Sequence, residues 1–296
     1  MTKNTQTETG AAKLRKLLEG PDILVVPGGG SPLEIKLIEQ AGFPAAYISG
    51  YATAAARYGL PDIGLIALSE VENLLLSVSR VTSLPVIVDC DTAYGDVANV
   101  QHTVRSMEML GAAAIQMEDQ KWPKRCGHMD GKIVESREVA VRKIAAAVAA
   151  RRNPDTVIIA RTDARSPHGL DEALERLRLF KNEGADVLFV DGPESMEDLE
   201  IIGRELPGPL FVNMSETGKT PLLSAAELQE LGYKIVIFPS STVRLTIKAV
   251  TDFLADLKAK GDSREWVERM ASLDQTNMAL GIDDFQNFDL EISKRS

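Results

Sequence analysis

The stretch Pro85-Val86-Ile87-Val88-Asp89-Cys90-Asp91 is a short apolar run, rich in β-branched residues, that ends in acidic residues. A segment with helical spacing follows it, from Val97 to Leu110, and a second apolar run extends from Ala112 to Glu118. Gly111 separates the helical segment from the second run, where a left-handed C-cap is expected. A strand, a helix and a strand in this order predict two parallel strands covered by the helix that joins them.

The same unit recurs on both sides of this stretch. Six further apolar runs bounded by turn residues are Asp22 to Val26, Ala45 to Ser49, Val157 to Arg161, Asp186 to Asp191, Pro209 to Asn213 and Lys234 to Phe238. Other segments with helical spacing are Ser69 to Thr82, Ser136 to Arg151, Leu170 to Glu183 and Ser195 to Leu206. Eight alternating units predict an α/β protein, a closed (β/α)8 barrel of the TIM type, as one domain over residues 1–296.

An open doubly wound sheet would show the same alternation, and the count of eight favours closure. The triplet Gly28-Gly29-Gly30 matches neither the dinucleotide nor the P-loop pattern, so it is interpreted as a flexible turn before a helix that starts near Ser31-Pro32. Residues 1–12 are expected to form a loose leader, and residues 261–296 a helical tail.

The composition is that of an ordinary globular protein, with 44% hydrophobic and 26% charged residues. A formal net charge of −10 argues against nucleic acid or an anionic membrane as the main partner. The cysteines Cys90 and Cys126 have no metal or redox spacing, which favours a reducing compartment. Without a signal-like N-terminal segment or a long apolar run, the protein is expected to be cytoplasmic.

Acidic residues stand at the ends of the predicted strands, where barrel enzymes carry their catalytic groups. Asp89 and Asp91 are two apart on one run, so both are expected on one face, and Glu118 ends the next. Crowded carboxylates repel one another unless a cation or proton intervenes. The cluster predicts a Mg²⁺ site with Asp91 as a direct ligand and Asp89 and Glu118 holding its waters. The alternative is that these acids are helix caps or loop residues.

Two further residues in this region carry candidate chemistry. Cys126 lies in a loop with Lys124, Arg125 and His128, and nearby positive charge lowers the pKa of a thiol, which makes it a useful acid, base or nucleophile. Arg161 ends an otherwise apolar run, and a buried arginine needs anionic partners. Either a substrate carboxylate or the acids at the strand ends can supply them.

Five motifs, in this order, resemble the isocitrate lyase and phosphoenolpyruvate mutase superfamily, especially its 2-methylisocitrate lyase-like members. They are Gly59-Leu60-Pro61-Asp62-Ile63-Gly64, Val88-Asp89-Cys90-Asp91-Thr92-Ala93-Tyr94-Gly95, Glu118-Asp119-Gln120, Pro123-Lys124-Arg125-Cys126-Gly127-His128 and Ala160-Arg161-Thr162-Asp163-Ala164. The resemblance spans roughly Asp22 to Leu257, and the Lys-Arg-Cys-Gly-His loop is its most specific part.

The resemblance implies a barrel whose last helix is exchanged with a neighbouring subunit, commonly in a dimer of dimers. It also implies Mg²⁺, for which Mn²⁺ can substitute, and a small carboxylate substrate. By motif, the resemblance assigns Asp89, Asp91 and Glu118 to the metal shell, and Ser49, Gly50 and Arg161 to the site for the pyruvyl half of the substrate. It assigns Asn213 and Arg244 to the distal carboxylate. Cys126 is the acid of the loop, and Tyr47 takes part in deprotonating the substrate hydroxyl.

Two positions depart from what the resemblance leads us to expect, and both are assigned to substrate binding. Asp191, in Asp191-Gly192-Pro193, stands where the lyases commonly have Glu-Ala, which shortens the acid in that wall. Tyr51 is a bulky residue where small ones are common. The substrate side chain is therefore expected to differ from that of 2-methylisocitrate.

The leading functional hypothesis is a Mg²⁺-dependent carbon–carbon lyase. It would cleave a 2-hydroxy di- or tricarboxylate, such as 2-methylisocitrate or 2,3-dimethylmalate, by retro-aldol-type chemistry to pyruvate and a second carboxylate. The alternative is a carboxyphosphonoenolpyruvate phosphonomutase, which the chain also resembles through Gly218-Lys219-Thr220-Pro221. Less favoured are an oxaloacetate hydrolase or decarboxylase and a non-catalytic carboxylate-binding protein.

Overall fold

The computed structural model describes residues 8–127, 129 and 131–294. Within them, eight parallel strands pair in chain order, and the last pairs with the first, so the sheet closes into a barrel. The strands are β1 (Leu24–Gly29), β2 (Ala46–Ile48), β3 (Val86–Asp89), β4 (Ala114–Glu118), β5 (Val157–Thr162), β6 (Val187–Val190), β7 (Leu210–Asn213) and β8 (Tyr233–Phe238). The predicted TIM-type barrel is confirmed, and the open sheet is excluded.

One helix, α1, precedes the first strand, and the others follow the strands and cover the outside of the barrel. The helices are α1 (Gly10–Glu19), α2 (Pro32–Gln40), α3 (Gly50–Tyr58), α4 (Leu68–Val78), α5 (Val97–Met109), α6 (Arg137–Ala150), α7 (Arg165–His168), α8 (Leu170–Asn182), α9 (Met196–Glu205), α10 (Ala225–Glu230) and α11 (Ser241–Lys260). The five predicted helical segments all form helices. The largest difference is at α4, which ends at Val78 rather than Thr82 because the backbone then tightens into a turn from Val81 N–H to Val78 O.

Two apolar layers hold the barrel together. One fills its interior and includes Tyr47, Phe189 and Phe211, while the other lies between the strands and the helices. Leu14 of α1 belongs to the interior layer, so this helix closes the end of the barrel where the strands begin. The opposite end, where the strands finish, is left open for a site.

The expected leader, residues 1–12, extends too far. Helix α1 begins at Gly10, because the Thr9 side chain accepts a hydrogen bond from Ala12 N–H and Ala11 is buried. Residues 1–7 lie outside the described residues.

The interpretation of Gly28-Gly29-Gly30 as a flexible turn was wrong. Gly28 and Gly29 are paired residues of β1, opposite Tyr47 and Ile48. A β-carbon on Gly28 would lie 2.6 Å from the Pro239 Cα, so this position needs glycine for close backbone approach rather than for flexibility. The following helix does begin at the predicted place, with Ser31 as its N-cap.

The tail is helical, comprising a 3-10 helix (Arg264–Arg269), α12 (Leu273–Leu280) and α13 (Ile282–Ser293). Lys36 Nζ donates to Leu280 O at 2.9 Å, which ties α12 to α2. Large apolar side chains of this tail are exposed, among them Leu273 at 84% and Phe285 at 76%. Among the described residues, the helices lack the combination of length and apolar character that crossing a bilayer requires.

Candidate active site

A cavity of about 320 Å³ opens at the end of the barrel where the strands finish. Nine of the residues predicted for the site line it, namely Tyr47, Ser49, Tyr51, Asp89, Cys126, Arg161, Asp191, Asn213 and Arg244. Of the other three, Asp91 and Glu118 belong to the acid cluster described next, and Gly50 contacts that cluster through its backbone N–H. The fold therefore brings together, at one end of the barrel, predicted residues that are far apart in the chain.

Asp89, Asp91 and Glu118 form a buried acid cluster in which one carboxylate oxygen from each lies within 4.8 Å of the others. The expected strand geometry holds only in part. Strand β3 ends at Asp89, and Asp91 lies beyond it with a positive φ of 46°. A tight turn, not strand alternation, brings the second aspartate beside the first.

The oxygens of this cluster suit a divalent cation. Asp91 Oδ2 and Glu118 Oε1 are buried and accept no hydrogen bond from the described residues, an arrangement that is costly for carboxylates unless a cation is bound. Burial, together with repulsion from Asp89, raises the pKa of Asp91 to about 7 against the opposing effect of Lys124. Burial also raises the pKa of Glu118, with Arg161 opposing it. The cluster could hold a metal ion.

Lys124 is buried rather than solvated, and it bridges two acids. Its Nζ lies 2.5 Å from Asp62 Oδ1 and 2.7 Å from Asp91 Oδ1. Lys124 belongs to the loop that carries Cys126, residues 121–133, which we call the cysteine loop, whereas Asp62 follows α3. The bridge therefore joins the loop to the acid cluster.

Arg161 lies on the floor of the cavity, and acids of this chain surround it. Its guanidinium pairs with Asp163 at 2.8 Å, Asp191 at 2.9 Å and Glu118 at 3.2 Å. It also stacks over the Phe189 ring, 5.4 Å from the centroid. Arg161 can therefore pair with the acids at the strand ends, which it already contacts, and also with a substrate carboxylate, because it lines the cavity.

Tyr47 is a neutral phenol in this site. Its hydroxyl donates to Gln116 Oε1 at 3.1 Å, and Gln116 Nε2 donates to Asp89 Oδ1 at 3.3 Å. Burial, followed by the charge of Asp89, raises the pKa of Tyr47 well above its usual value. The residue is therefore a hydrogen-bonding group beside the acid cluster rather than a ready source of phenolate.

The loop with Cys126 projects over the cavity between two arms that pair at Gln120 and Val134. The Gln120 side chain accepts from Arg125 N–H at 3.0 Å and donates to Arg125 O at 2.8 Å, which fixes the backbone just before the cysteine. Cys126 is half-buried and lines the cavity, whereas Cys90 is fully buried in the apolar core. His128 lies outside the described residues.

The start of α3 links the cavity to the acid cluster. Ser49 is the N-cap of this helix, and Gly50 N–H donates to Asp89 Oδ2 at 3.2 Å. A β-carbon on Gly50 would lie 3.1 Å from the same oxygen. Glycine here allows the backbone to come close enough to contact the carboxylate.

Arg244 and Asn213 lie in the wall where a distal carboxylate was expected. Arg244 already contacts the Glu216 backbone carbonyl and donates to Thr217 Oγ1 at 2.8 Å. Asn213 Nδ2 donates to Asp191 Oδ1 at 3.4 Å. Thr217 has a positive φ of 62°, so the turn that meets Arg244 is strained.

A family model described as phosphoenolpyruvate phosphomutase matches residues 14–258. The chain belongs to the phosphoenolpyruvate mutase/isocitrate lyase superfamily. It is 42% identical to 2-methylisocitrate lyase of Aeropyrum pernix, over 96% of this chain and 91% of that one. It is 41% identical to 2,3-dimethylmalate lyase of Eubacterium barkeri, over 92% and 94%. A crystal structure of 2,3-dimethylmalate lyase matches with a TM-score of 0.90 and 36% identity, over 97% and 96%.

The sequence reasoning assigned no role to Asp62 or Lys132, and it treated Lys124 only as a positive charge near Cys126. Asp62 stands in a motif that carries the resemblance, and that motif was the available signal. The two lysines are buried at 4% and 6% exposure, although a lysine in a polar loop is usually solvated. Glu216 and Thr217 also line the cavity beyond the predicted set.

Proposed function

We propose that the chain is a Mg²⁺-dependent carbon–carbon lyase that cleaves a 2-hydroxy di- or tricarboxylate, of the 2-methylisocitrate or 2,3-dimethylmalate type, to pyruvate and a second carboxylate. The observation that carries this proposal is one cavity that has the acid cluster behind it and Cys126 over it. Such a cavity can stabilise an oxyanion at one place and deliver a proton at another. The lyase names of the relatives support the same reaction.

The proposed reaction divides the charge between these two places. The substrate hydroxyl on C2 releases its proton to water, in a step that Tyr47 is proposed to assist. The C2–C3 bond then breaks, and its electron pair moves to C3, where the neighbouring carboxylate stabilises it. C2 becomes the ketone carbon of pyruvate, and the Cys126 thiol gives its proton to C3. The thiolate then recovers one proton, equal to the proton released from the hydroxyl.

Asp89, Asp91 and Glu118 are proposed to hold Mg²⁺, which when bound supplies a Lewis acid beside the 2-oxo group. Arg161 and the backbone at Ser49 and Gly50 are proposed to bind the pyruvyl half. Tyr47, as a neutral phenol, would orient the substrate hydroxyl by a hydrogen bond. Carboxylate oxygens are the ligands that Mg²⁺ and Mn²⁺ prefer, so Mn²⁺ should substitute.

The distal carboxylate is assigned to Arg244 and Asn213. Both line the cavity on the side away from the acid cluster, and the Arg244 side chain keeps 34% exposure beside its Glu216 partner. Asp191 and Tyr51 are proposed to shape the wall that meets the substrate side chain. The shorter acid at Asp191 leaves more room than a glutamate would.

The protein is proposed to work in the cytoplasm as a homo-oligomer, with a dimer of dimers as the expected form. The apolar side chains exposed on α11, α12 and α13, such as Leu245, Phe285 and Phe288, support a second copy of the chain as their cover. Two free cysteines suit a reducing compartment. Light scattering after size-exclusion chromatography tests the oligomer, and a monomer at micromolar concentration would contradict it.

Pyruvate release, coupled to lactate dehydrogenase, tests the proposed reaction. The substrates are 2-methylisocitrate, 2,3-dimethylmalate and citramalate, each with Mg²⁺ and with a chelator; isocitrate, whose cleavage would give glyoxylate instead of pyruvate, is the control for substrate choice. Metal-dependent pyruvate from one of them is the expected result. A folded protein that releases none would contradict the lyase assignment.

A phosphonomutase is the second candidate, favoured by the description of the matching family model and by Gly218-Lys219-Thr220-Pro221, whose first residue lines the cavity. Its reaction would move the phosphorus of carboxyphosphonoenolpyruvate from the enol oxygen to the methylene carbon, so that a phosphorus–oxygen bond breaks as the phosphorus–carbon bond forms. Phosphorus NMR of that substrate with the enzyme distinguishes the two. With oxaloacetate as the substrate, release of pyruvate would indicate decarboxylation, and release of oxalate and acetate would indicate hydrolysis.

A further inference from the structure

Lys132 stands in the second arm of the cysteine loop, and only 1% of its side chain is exposed. Its ammonium group donates to Gly127 O at 2.5 Å and to Asp163 Oδ1 at 3.1 Å. The first acceptor belongs to the loop, and the second follows β5 in the barrel. This one side chain therefore joins the loop to the floor of the cavity.

The Asp163 end of this link is fixed independently of the loop. Its carboxylate accepts from Arg161 Nε at 2.8 Å and Nη2 at 2.9 Å, and its own N–H donates to Asp119 Oδ1 at 2.9 Å. Although burial opposes ionisation, Arg161 and Lys132 hold the pKa of Asp163 well below its usual range. Asp163 is thus an ionised, immobile acceptor for the lysine.

The Gly127 end lies directly on the site. A β-carbon at Gly127 would overlap the Asp191 carboxylate and would lie 2.7 Å from Arg161 Nη2. The carbonyl that Lys132 holds therefore belongs to a residue with no room to move towards the floor. Lys132 prevents movement in the opposite direction, away from the floor.

We infer that Lys132 is a positioning residue that sets the place of the Cys126 thiol over the cavity by holding the adjoining Gly127 carbonyl to Asp163. Without the ammonium group, two acceptor oxygens face each other with no donor between them, which favours separation of the loop from the floor. The inference rests on the proposed function only for the catalytic role of Cys126. The position of the thiol can be measured without catalysis.

The rate at which a maleimide alkylates Cys126 in the full-length protein, followed by intact-protein mass spectrometry, measures how accessible the thiol is in its position over the cavity. Cys90 is fully buried, so a first adduct reports Cys126 and a second adduct reports general loosening. The variant Lys132→Met keeps the length of the side chain without its charge. We expect it to alkylate Cys126 several-fold faster and to lose roughly 10²-fold in kcat with little change in KM.

Three further variants distinguish an effect of the loop's position from an effect of the charge on Lys132. Gly127→Ala displaces the loop without changing any charge, so its alkylation should accelerate in the same way. Lys132→Arg keeps the charge and should recover part of kcat. Lys121→Met alters an exposed lysine of the same loop and should match the unmodified protein.

A faster reaction confined to Cys126, with Cys90 still unreactive in the folded protein, supports the assignment, and some loss of stability is expected because Asp163 then keeps only Arg161 as its countercharge. Unchanged alkylation and kcat in Lys132→Met would overturn it. A second adduct at Cys90 together with a lowered midpoint would also overturn it, because the lysine would then stabilise the whole fold. Absence of pyruvate release by the unmodified protein removes the lyase proposal and leaves the alkylation comparison intact.

Discussion

Arg161 Nη2 donates to Asp191 Oδ2 at 2.9 Å, which ties the end of β5 to the residue that follows β6. Arg161→Met would leave this acid, Asp163 and Glu118 buried with less countercharge. We expect the free energy of unfolding to fall by about 3 to 5 kcal/mol, as measured by urea denaturation. Arg142→Met is the control, because its partner Asp96 is 66% exposed and such pairs contribute about 0 to 1 kcal/mol. Equal losses in the two variants would contradict the assignment of Arg161 to a buried network.

Cys126→Ser is expected to lower lyase turnover by about 10² to 10⁴-fold, because a hydroxyl is a much weaker acid than a thiol. Binding of Mg²⁺ and of pyruvate, measured by calorimetry, should stay close to that of the unmodified enzyme. Cys90→Ala changes the other cysteine, whose side chain is buried in the core and does not line the cavity, and should keep most of the turnover. Unchanged turnover in Cys126→Ser would remove this thiol from the mechanism.

The pKa of Asp91, raised to about 7, predicts a pH-dependent effect of Mg²⁺. The unfolded chain releases this proton near pH 4, about three units below the folded one, so stability without metal should fall as pH rises from about 4 to 7. Mg²⁺ needs the carboxylate form, and it should raise the melting temperature more at about pH 8 than at about pH 5.5. Differential scanning fluorimetry measures both effects. Asp91→Asn should flatten both, and an equal Mg²⁺ shift at the two pH values would refute the prediction.

Gly28 and Gly10 predict opposite outcomes for the same substitution. A β-carbon at Gly28 meets Pro239 at 2.6 Å, so Gly28→Ala should destabilise by about 1 to 3 kcal/mol. Gly10 begins α1 and its nearest contact would be 3.5 Å, so Gly10→Ala should stabilise by about 0.4 to 1 kcal/mol. Thermal unfolding of both variants tests the pair, and destabilisation by Gly10→Ala would count against the packing around α1.

The barrel could be predicted from the sequence because most strands are short, largely apolar runs, of which Val157 to Ala160 is buried throughout. Strand order then follows from chain order. The acids at the strand ends were predictable for the same reason. The turn at Asp91 was not, because the sequence Asp89-Cys90-Asp91 contains no glycine or proline to show where the strand ends, although the backbone at Asp91 has a positive φ.

The buried lysines could not be predicted either. Lys124 pairs with Asp62, 62 residues away, and Lys132 with Asp163, 31 residues away. Such partners have no shared periodicity, and a charged residue in a polar loop gives no sign of burial. Their roles emerge only when the loop is folded onto the barrel.

The close contact between Gly127 and Asp191 links the size of the acid at 191 to the height of the cysteine loop above the cavity. The residue at 127 has no room for a side chain, since the acid at 191 occupies that volume. A longer acid at 191 would need the loop to rise, and a larger residue at 127 would need the acid to shrink. A chain with a longer acid at 191 and the same glycine at 127 must therefore hold its cysteine loop further from the floor, so the length of this acid sets how far the thiol stands above the cavity.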